Sequence, residues 1–353
     1  MPDPEPLLSG YPGLRAALCR VPLAALPTPV RLASIRLSGA DRQVWIKQDN
    51  LTGEPYGGNK VRKLEYLFGR MQRRRRDRVA TFGAVGSNHA LATALYARKL
   101  GHDAVCFLSH QTRTRLAAQT LNMHLQNGTL IVRFGGDRQT RLRTLREHLW
   151  NRNVEVIPMG GSSWAGTVGA LNAGLELAGQ VRRGELPAPD RIYVATGTMG
   201  TAAGLALGLA LARLPTVVHA VRVSHSSIAN EQVLERLLAK TAAMLHRIDP
   251  GFPATVARQA RIVLRHEYFA PGYAHSNRKT DAALALAAEQ LALSLEQTYT
   301  GKAMAAMLDD LGTTRDESRI LFWNTYHSRP LPADSARPAR TAGLPDEFLA
   351  YFD

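Results

Sequence analysis

Short β-rich runs alternate with longer runs of helical periodicity along almost the whole chain, and this alternation constrains the fold more than any other feature. Strands are predicted at 44–48, 78–82, 103–108, 129–134, 154–159, 191–196, 216–223, 261–269 and 319–323. Helices are predicted at 60–72, 88–100, 112–126, 138–150, 164–180, 201–213, 228–246, 279–294 and 301–311. Such alternation predicts an α/β protein whose doubly wound parallel sheets are covered by helices on both faces. Sheets of this kind bind ligands at the carboxyl ends of their strands.

The chain is strongly basic, with a formal net charge of +15. A basic protein could bind an acidic partner such as nucleic acid. Much of the local excess is a run of four arginines at 73–76, between a predicted helix and a predicted strand. Arginines there complement the negative C-terminal end of a helix, and no helix-turn-helix, zinc-finger or aromatic RNA-binding pattern accompanies them. We therefore prefer a solvated helix end to a nucleic-acid interface.

Nothing in the sequence predicts export, membrane insertion or a metal site. The opening MPDPEPLLSG is acidic and proline-rich where a signal peptide needs a basic start and an apolar run. No segment approaches the ~18 uninterrupted apolar residues of a membrane span. The two cysteines, Cys19 and Cys106, form no metal-ligand spacing and fit a reducing compartment. We expect a cytoplasmic protein without a metal ion, with an irregular, Pro- and Arg-rich wrap or tail at 328–343.

The stretch EPYGGNKVRKLEYL (54–67) places a single lysine directly after two glycines and an asparagine. Apolar residues recur at three- and four-residue spacing from Val61, so Lys60 stands at a helix start. A helix N-terminus carries about half a positive charge and disfavours an ammonium group. The glycines allow the backbone to approach another molecule closely. This pattern suits a neutral, nucleophilic lysine, although a Gly-Gly turn followed by a solvated lysine fits these residues alone.

Two further strand-to-helix turns could bind anions. In the turn at 81–101, Ser87 or Asn88 is a natural helix N-cap, and the same free N–H groups could bind a carboxylate. In the turn at 191–211, the sequence TGTMGT (196–201) offers glycines and hydroxyls at a helix start, which can cradle a phosphate. Its spacing matches neither the Walker nor the dinucleotide pattern, so a single phosphate monoester is expected. Helix-sheet packing alone would also explain such glycines.

Two tyrosines complete the candidate site. Tyr273 lies in APGYAHSN, after a predicted strand, and Tyr299 lies in EQTYTGKAM, before a predicted helix. Each tyrosine alone could simply be packed in the core. One cofactor needs a reactive lysine, a phosphate cradle and an amino-acid carboxylate site together. That cofactor is pyridoxal 5′-phosphate, whose aldehyde forms a Schiff base with lysine.

With these features the sequence resembles the family of 1-aminocyclopropane-1-carboxylate deaminases and D-cysteine desulfhydrases. This family belongs to the tryptophan-synthase-β-like, fold type II class of pyridoxal-phosphate enzymes. The resemblance runs from about residue 20 to 328 and is carried, in the family's order, by KQDNLTGEPYGGNKVRKLEYL, GSNHALATALYARKLG, GGSSWAGTVGALNAGLEL, ATGTMGT and YTGKAM. It implies pyridoxal phosphate as cofactor and two doubly wound parallel-sheet domains. The large cofactor-binding domain would comprise 1–62 and 171–353, and a small mobile domain at 63–170 would close on the substrate. We also expect a homodimer.

The resemblance implies a role for each motif residue. Lys60 would form the Schiff base and carry the substrate proton. Ser87, Asn88 and His89 would hold the substrate carboxylate, and Asn88 would also bind the phenolic oxygen of the cofactor. Tyr273 and Tyr299 would flank the substrate, and catalysis is assigned to them together with Lys60 and Ser87. The other implied cofactor-binding residues are Asn59, Gly197, Thr198, Met199, Gly200, Thr201, Thr300 and Thr325.

Two departures from the family pattern bear on the substrate. In the deaminases a glutamate follows the tyrosine that matches Tyr299 and pairs with the pyridine nitrogen, whereas Thr300 follows it here. A hydroxyl leaves the cofactor a weaker electron sink, which favours loss of a β leaving group over ring opening. The family's HTGG appears as NTYH (324–327), so Tyr326 and His327 replace glycines.

The sequence therefore predicts a pyridoxal-phosphate-dependent lyase that eliminates a β substituent from a small amino acid. D-Cysteine, β-chloroalanine and O-acetylserine are candidate substrates, and pyruvate and ammonia are the expected products. An amino-acid racemase or a β-replacement enzyme would use the same residues. A non-catalytic relative of the family is the alternative of a different class.

Overall fold

The computed structural model describes residues 5–150, 153–313, 318–327 and 344–352. The predicted tail at 328–343 lies outside the described residues. The chain divides into two compact units. Unit 1 comprises Met1–Tyr66 and Ser162–Ser328, and unit 2 comprises Leu67–Gly161 and Arg329–Asp353.

The described ranges contain ten β-strands and twelve α-helices. The strands are β1 (Val30–Leu37), β2 (Ala40–Lys47), β3 (Arg78–Ala84), β4 (Asp103–Ser109), β5 (Leu130–Arg133), β6 (Val154–Ile157), β7 (Arg191–Thr196), β8 (Val217–Arg222), β9 (Ile262–Arg265) and β10 (Ile320–Trp323). The helices are α1 (Pro6–Gly10), α2 (Pro12–Ala17), α3 (Asn59–Arg73), α4 (Asn88–Lys99), α5 (Arg115–Gln126), α6 (Arg138–Leu149), α7 (Trp164–Arg182), α8 (Gly200–Leu211), α9 (Glu231–Ile248), α10 (Val256–Gln259), α11 (Arg278–Leu291) and α12 (Thr300–Thr313). None of these helices is long and apolar enough to cross a membrane.

Unit 1 is built on a six-stranded sheet in the order β1-β2-β10-β7-β8-β9. Every pair in it is parallel except β1 with β2. The central strand β10 is buried along its whole length, and its alternate side chains face two cores. Phe322 packs with Met304 of α12, while Trp323 packs with Leu205 of α8 on the other face. Burial on both faces explains why such a strand is a continuous apolar run.

Unit 2 carries a four-stranded parallel sheet in the order β5-β4-β3-β6. Phe107 of β4 lies at the centre of its small core, stacked 5.1 Å from Phe82. The described C-terminal residues also belong to this unit. The Tyr351 hydroxyl donates to the carbonyl of Gln111 (2.7 Å) and accepts from the N–H of the same residue (2.8 Å). These two hydrogen bonds tie the last turn of the chain to the loop after β4.

The bounds of the two units are not the same as those of the expected domains, which were 1–62 with 171–353 for the large domain and 63–170 for the small one. The second unit begins at Leu67, ends at Gly161, and includes the C-terminal segment that was assigned to the large domain. The reason is the pairing of Tyr351 with Gln111, a contact between residues 240 positions apart that no local pattern announces.

The α/β class and the parallel sheets predicted from the alternation are confirmed. Each predicted strand and helix has a counterpart, with ends shifted by a few residues. Strand β1 was not predicted, because it is an antiparallel edge strand with mixed polar and apolar residues, and Leu32 is 45% exposed. Ser38 and Gly39, both with positive φ, form the two-residue turn to β2. Such a dipeptide is a hairpin pattern that could have revealed β1.

Candidate active site

Three neighbouring parallel strands of unit 1 end at the same edge of the sheet. They are β2, β10 and β7, and the N–H of Asn324, just after β10, donates to the carbonyl of Lys47 at the end of β2 (2.9 Å). The loop after β2 leads to Lys60, the loop after β10 is 324–327, and the loop after β7 runs into Gly200. Carboxyl ends of parallel strands are the usual ligand-binding edge of such a sheet.

Asn59 connects all three loops. Its N–H donates to the carbonyl of Thr325 (3.2 Å), and its side-chain Nδ2 donates to the Thr201 hydroxyl (2.8 Å). Gly58 before it has a φ of +95°, and a Cβ there would lie 2.7 Å from the Thr325 carbonyl oxygen. Only glycine fits this backbone and this close approach. The structure thus brings together three of the predicted cofactor-binding residues, namely Asn59, Thr201 and Thr325.

Lys60 lies in the first turn of α3, as predicted. Its burial lowers the pKa of the ammonium group to about 8, because removal from water disfavours the charged form. No hydrogen bond or ion pair joins its Nζ to a described residue. The neutral fraction of Lys60 at physiological pH is therefore larger than that of an ordinary lysine, and a nucleophilic lysine must be neutral.

Lys63 lies one helical turn after Lys60 and is 1% exposed. Its Nζ donates to the Ser162 hydroxyl (3.3 Å), which also accepts from the N–H of Gly200 (3.1 Å) and is hydrogen-bonded to the Thr198 hydroxyl (2.7 Å). A Cβ on Gly200 would lie 2.6 Å from Ser162 Oγ and 2.7 Å from Lys63 Nζ. The start of α8 is therefore surrounded by donors from three segments.

These donors fit a phosphate monoester. Burial and the neighbouring charge of Lys60 hold the pKa of Lys63 well below its usual range. The N-terminus of the twelve-residue helix α8 adds partial positive charge at the same place. A bound anion would offset both the repulsion between Lys60 and Lys63 and the free-energy cost of burying the Lys63 ammonium group. Lys63 and Ser162 were missed from the sequence, although the i, i+3 spacing from Lys60 and the GGSS turn (160–163) could have suggested them.

The two predicted tyrosines lie in hydrogen-bond contact. The hydroxyls of Tyr273 and Tyr299 are 2.7 Å apart, and their rings are nearly perpendicular, with an interplanar angle of 86°. Tyr299 also lies beside the glycine turn before α8 (196–201), because its Cε1 is 3.4 Å from the position of a Cβ on Gly197. Burial raises the pKa of Tyr273 to about 12 and that of Tyr299 well above its usual value. Both tyrosines are therefore protonated at neutral pH.

Glu296 holds the residues around Tyr299 and was not anticipated from the sequence. Its buried carboxylate accepts the backbone N–H groups of Thr298 (2.8 Å), Tyr299 (2.9 Å) and Thr300 (2.8 Å), at the start of α12. The Thr300 side chain is fully buried, donates to Glu296 Oε1 (3.1 Å) and accepts from the Glu296 N–H (3.0 Å). Thr300, predicted to lie beside the pyridine nitrogen, thus uses its hydroxyl proton within this turn.

Lys302 holds the loop that carries Tyr273 and was also missed. Its Nζ donates to the carbonyls of Phe269 (3.0 Å) and Gly272 (2.7 Å), and the residue is fully buried. Burial lowers the pKa of Lys302 to about 8. By donating to these two carbonyls, Lys302 holds the loop in position. Its place in the sequence, two residues after Thr300, does not indicate this role.

The predicted carboxylate-binding residues Ser87, Asn88 and His89 lie in unit 2, at the start of α4. Ser87 is the N-cap of this helix and accepts the N–H of Ala90 (3.3 Å), as expected. Asn88 is half-buried, whereas the His89 ring is buried with Nε2 3.1 Å from the Thr81 hydroxyl. A carboxylate ligand would thus meet the Ser87 turn and the N-terminus of α4, rather than the imidazole of His89.

Comparison with known proteins agrees with this geometry. Residues 21–325 match the family described as "Pyridoxal-phosphate dependent enzyme". The chain is 33% identical over 321 residues to a D-cysteine desulfhydrase of Klebsiella pneumoniae subsp. pneumoniae. The aligned region covers 87% of this chain and 93% of that protein. It is also 33% identical over 319 residues to a D-cysteine desulfhydrase of Serratia proteamaculans, with the same coverage. A crystal structure of an ACC deaminase homologue superposes with a TM-score of 0.74 at 29% identity and covers 92% of this chain and 95% of its own.

Proposed function

This chain belongs to the family of pyridoxal-phosphate-dependent enzymes, and from that premise we propose that it is a lyase that eliminates a β substituent from a small amino acid, giving pyruvate and ammonia. The relatives named D-cysteine desulfhydrase support this reaction type. The observation that carries the proposal is the convergence of Lys63, Ser162 and the Gly200 N–H one helical turn from a lysine with a pKa near 8.

The cofactor would be held by residues from the three loops of unit 1. Lys60 Nζ would be its covalent attachment, and Lys63, Ser162 and the α8 N-terminus would bind its phosphate. The remaining proposed contacts are Asn59, Asn88, Gly197, Thr198, Met199, Thr201, Thr300 and Thr325. When bound, pyridoxal phosphate supplies an electron sink that stabilises negative charge at the substrate Cα. Ser87, Asn88 and His89 would bind the substrate carboxylate at the α4 N-terminus through the Ser87 hydroxyl and backbone N–H groups, without the His89 imidazole.

Lys60 and the tyrosine pair would divide the proton transfers. The neutral amine of Lys60 accepts the α proton at Nζ. Tyr299, protonated and hydrogen-bonded to Tyr273, donates a proton from its hydroxyl to the departing group. Burial raises the pKa of both tyrosines, so each hydroxyl keeps a proton at neutral pH that it can donate.

Thr300 supports elimination over opening of a cyclopropane ring. Its hydroxyl proton is donated to Glu296, so Thr300 cannot protonate the pyridine nitrogen as a carboxylic acid would. A weaker electron sink suffices when a leaving group takes the electrons. We therefore expect efficient release of pyruvate from D-cysteine, β-chloroalanine or O-acetylserine, and little 2-oxobutyrate from 1-aminocyclopropane-1-carboxylate.

The test measures 2-oxo acids from both substrate types at equal concentration, together with the absorbance of lysine-bound cofactor at ~410 nm. Lys60→Ala should abolish both signals, whereas Lys279→Ala, at an exposed lysine that pairs with Asp309, should retain them. Efficient 2-oxobutyrate formation from the cyclopropane substrate would contradict the elimination proposal. Exchange of the α proton without pyruvate would favour the racemase. An unchanged absorbance in Lys60→Ala would remove Lys60 from the mechanism.

We propose that the protein is cytoplasmic and that it forms a homodimer. Cys19 and Cys106 are unpaired in the structure, and the exposed Cys19 thiol is compatible with a reducing compartment. Light scattering after size-exclusion chromatography should give twice the mass of the chain, and the mass of a single chain would contradict the dimer.

A further inference from the structure

Tyr326 and His327 lie on a loop that packs directly against the turn before Lys60. Besides the hydrogen bond from Asn59 to Thr325, the position of a Cβ on Gly58 lies 3.6 Å from the carbonyl carbon of Tyr326 and 3.6 Å from the nitrogen of His327. The family pattern has glycines at these two positions. The added side chains therefore extend from backbone that lies directly beside the turn before Lys60.

Three aromatic rings in contact, tilted by 37° and 48° at the two contacts, form what we call the aromatic wall, made of Tyr56, His327 and Tyr326. The His327 ring lies between the other two, with centroids 4.2 Å from Tyr56 and 4.3 Å from Tyr326. Tyr56 and His327 are each only 3% exposed, whereas Tyr326 is partly exposed. The two buried rings hold the third in place, because moving Tyr326 would break aromatic contacts. Tyr326 is thus the accessible face of a rigid wall.

The aromatic wall lies at the same edge of the unit 1 sheet as Lys60, because Tyr326 and His327 belong to the loop that follows β10 and lie beside Gly58 in the turn before Lys60. Burial, followed by the charge of Glu296, raises the pKa of Tyr326, and the same charge contributes to the raised pKa of Tyr56, Tyr273 and Tyr299. The Tyr326 hydroxyl makes no hydrogen bond to a described residue.

We propose that Tyr326 is a specificity-determining residue that restricts the group on the substrate β-carbon to a compact one, such as a thiol, a halide or an acetoxy group. The inference rests on the proposed function, because it concerns the amino-acid side chain accepted beside Lys60 and Tyr299. A phenol ring occupies volume that a glycine would leave open, and its contact with the buried His327 ring restricts its movement. Even one methylene of misfit in a pocket changes relative rates by about 10–200-fold.

The first test compares Tyr326→Gly with the matched variant Tyr326→Phe, which keeps the ring and removes the hydroxyl. Pyruvate formation is measured with cysteine and with S-benzylcysteine, using both enantiomers of each. In Tyr326→Gly the ratio of kcat/KM for S-benzylcysteine to that for cysteine should rise by about tenfold or more. In Tyr326→Phe the same ratio should stay within about twofold, because the ring volume is retained. A tenfold rise in both variants would assign the selectivity to the hydroxyl and overturn the proposal.

The second test does not require turnover. Calorimetry gives the Kd of alanine and of phenylalanine for the cofactor-loaded proteins, and in Tyr326→Gly the preference for alanine should fall by about tenfold. Tyr326→Ala serves the same comparison if the glycine variant does not fold. If the unaltered protein releases no pyruvate from any β-substituted amino acid, the proposed function fails, and the binding ratio alone decides the role of Tyr326. An unchanged ratio in a variant that retains the absorbance of bound cofactor would overturn the proposal.

Discussion

The rate at which Lys60 forms its covalent bond to pyridoxal phosphate should depend on pH in a way that is set by the burial of the lysine. The structure lowers the pKa of Lys60 to about 8 from the ordinary 10.5. At pH 7 the neutral fraction then rises from about 0.03% to about 9%, a gain of about 300-fold in reactive amine. The direction follows from desolvation, which penalises the ammonium form and leaves the neutral amine unaffected. The rate of loading should therefore climb steeply to about pH 8 and level off above it.

The assay mixes cofactor-free protein with pyridoxal phosphate in a stopped-flow instrument and follows the absorbance of lysine-bound cofactor between about pH 6 and 11. The same series with butylamine gives the pH dependence that belongs to the cofactor itself, and dividing by it isolates Lys60. Lys60→Ala should show no such phase. A corrected rate that is still rising tenfold per pH unit above pH 9 would refute the reasoning, since Lys60 would then titrate as an exposed lysine.

Three further predictions follow from other contacts. Gly200→Val should raise the Kd of pyridoxal phosphate at least about tenfold, since even its Cβ would lie 2.7 Å from Lys63 Nζ, and an unchanged Kd would mean that the turn only packs helix on sheet. Glu176→Gln should lower the free energy of unfolding in urea by about 3–5 kcal/mol, because it leaves the buried cations Lys47 and Arg62 without their shared carboxylate; a loss under about 1 kcal/mol would contradict this. Lys302→Met should reduce kcat more than it raises KM, because it releases the loop of Tyr273, and an unchanged kcat in a folded variant would deny the lysine that role.

The sequence by itself determined the features that depend on local periodicity and on turn chemistry. The alternation of patterns was sufficient for the α/β class, because each helix or strand must bury one face or two. Lys60 at a helix start, Ser87 as an N-cap and the glycine turn before α8 were equally local, since each depends on residues within one turn of chain. Strand β1 was not predicted, because its exposed edge position removes the alternation of apolar and polar residues by which a strand is recognised.

Only the tertiary structure decided which residues meet at the edge of the sheet. Lys63 bonds to Ser162 across 99 positions, and Asn59 bonds to Thr201 across 142. Neither pair shares a helix or a strand, so no periodicity links them. They meet because β2, β10 and β7, distant in sequence, are neighbours in one parallel sheet and end on the same side. The pKa of Lys60 has the same origin, since desolvation is a property of the packed surroundings and not of the chain around the lysine.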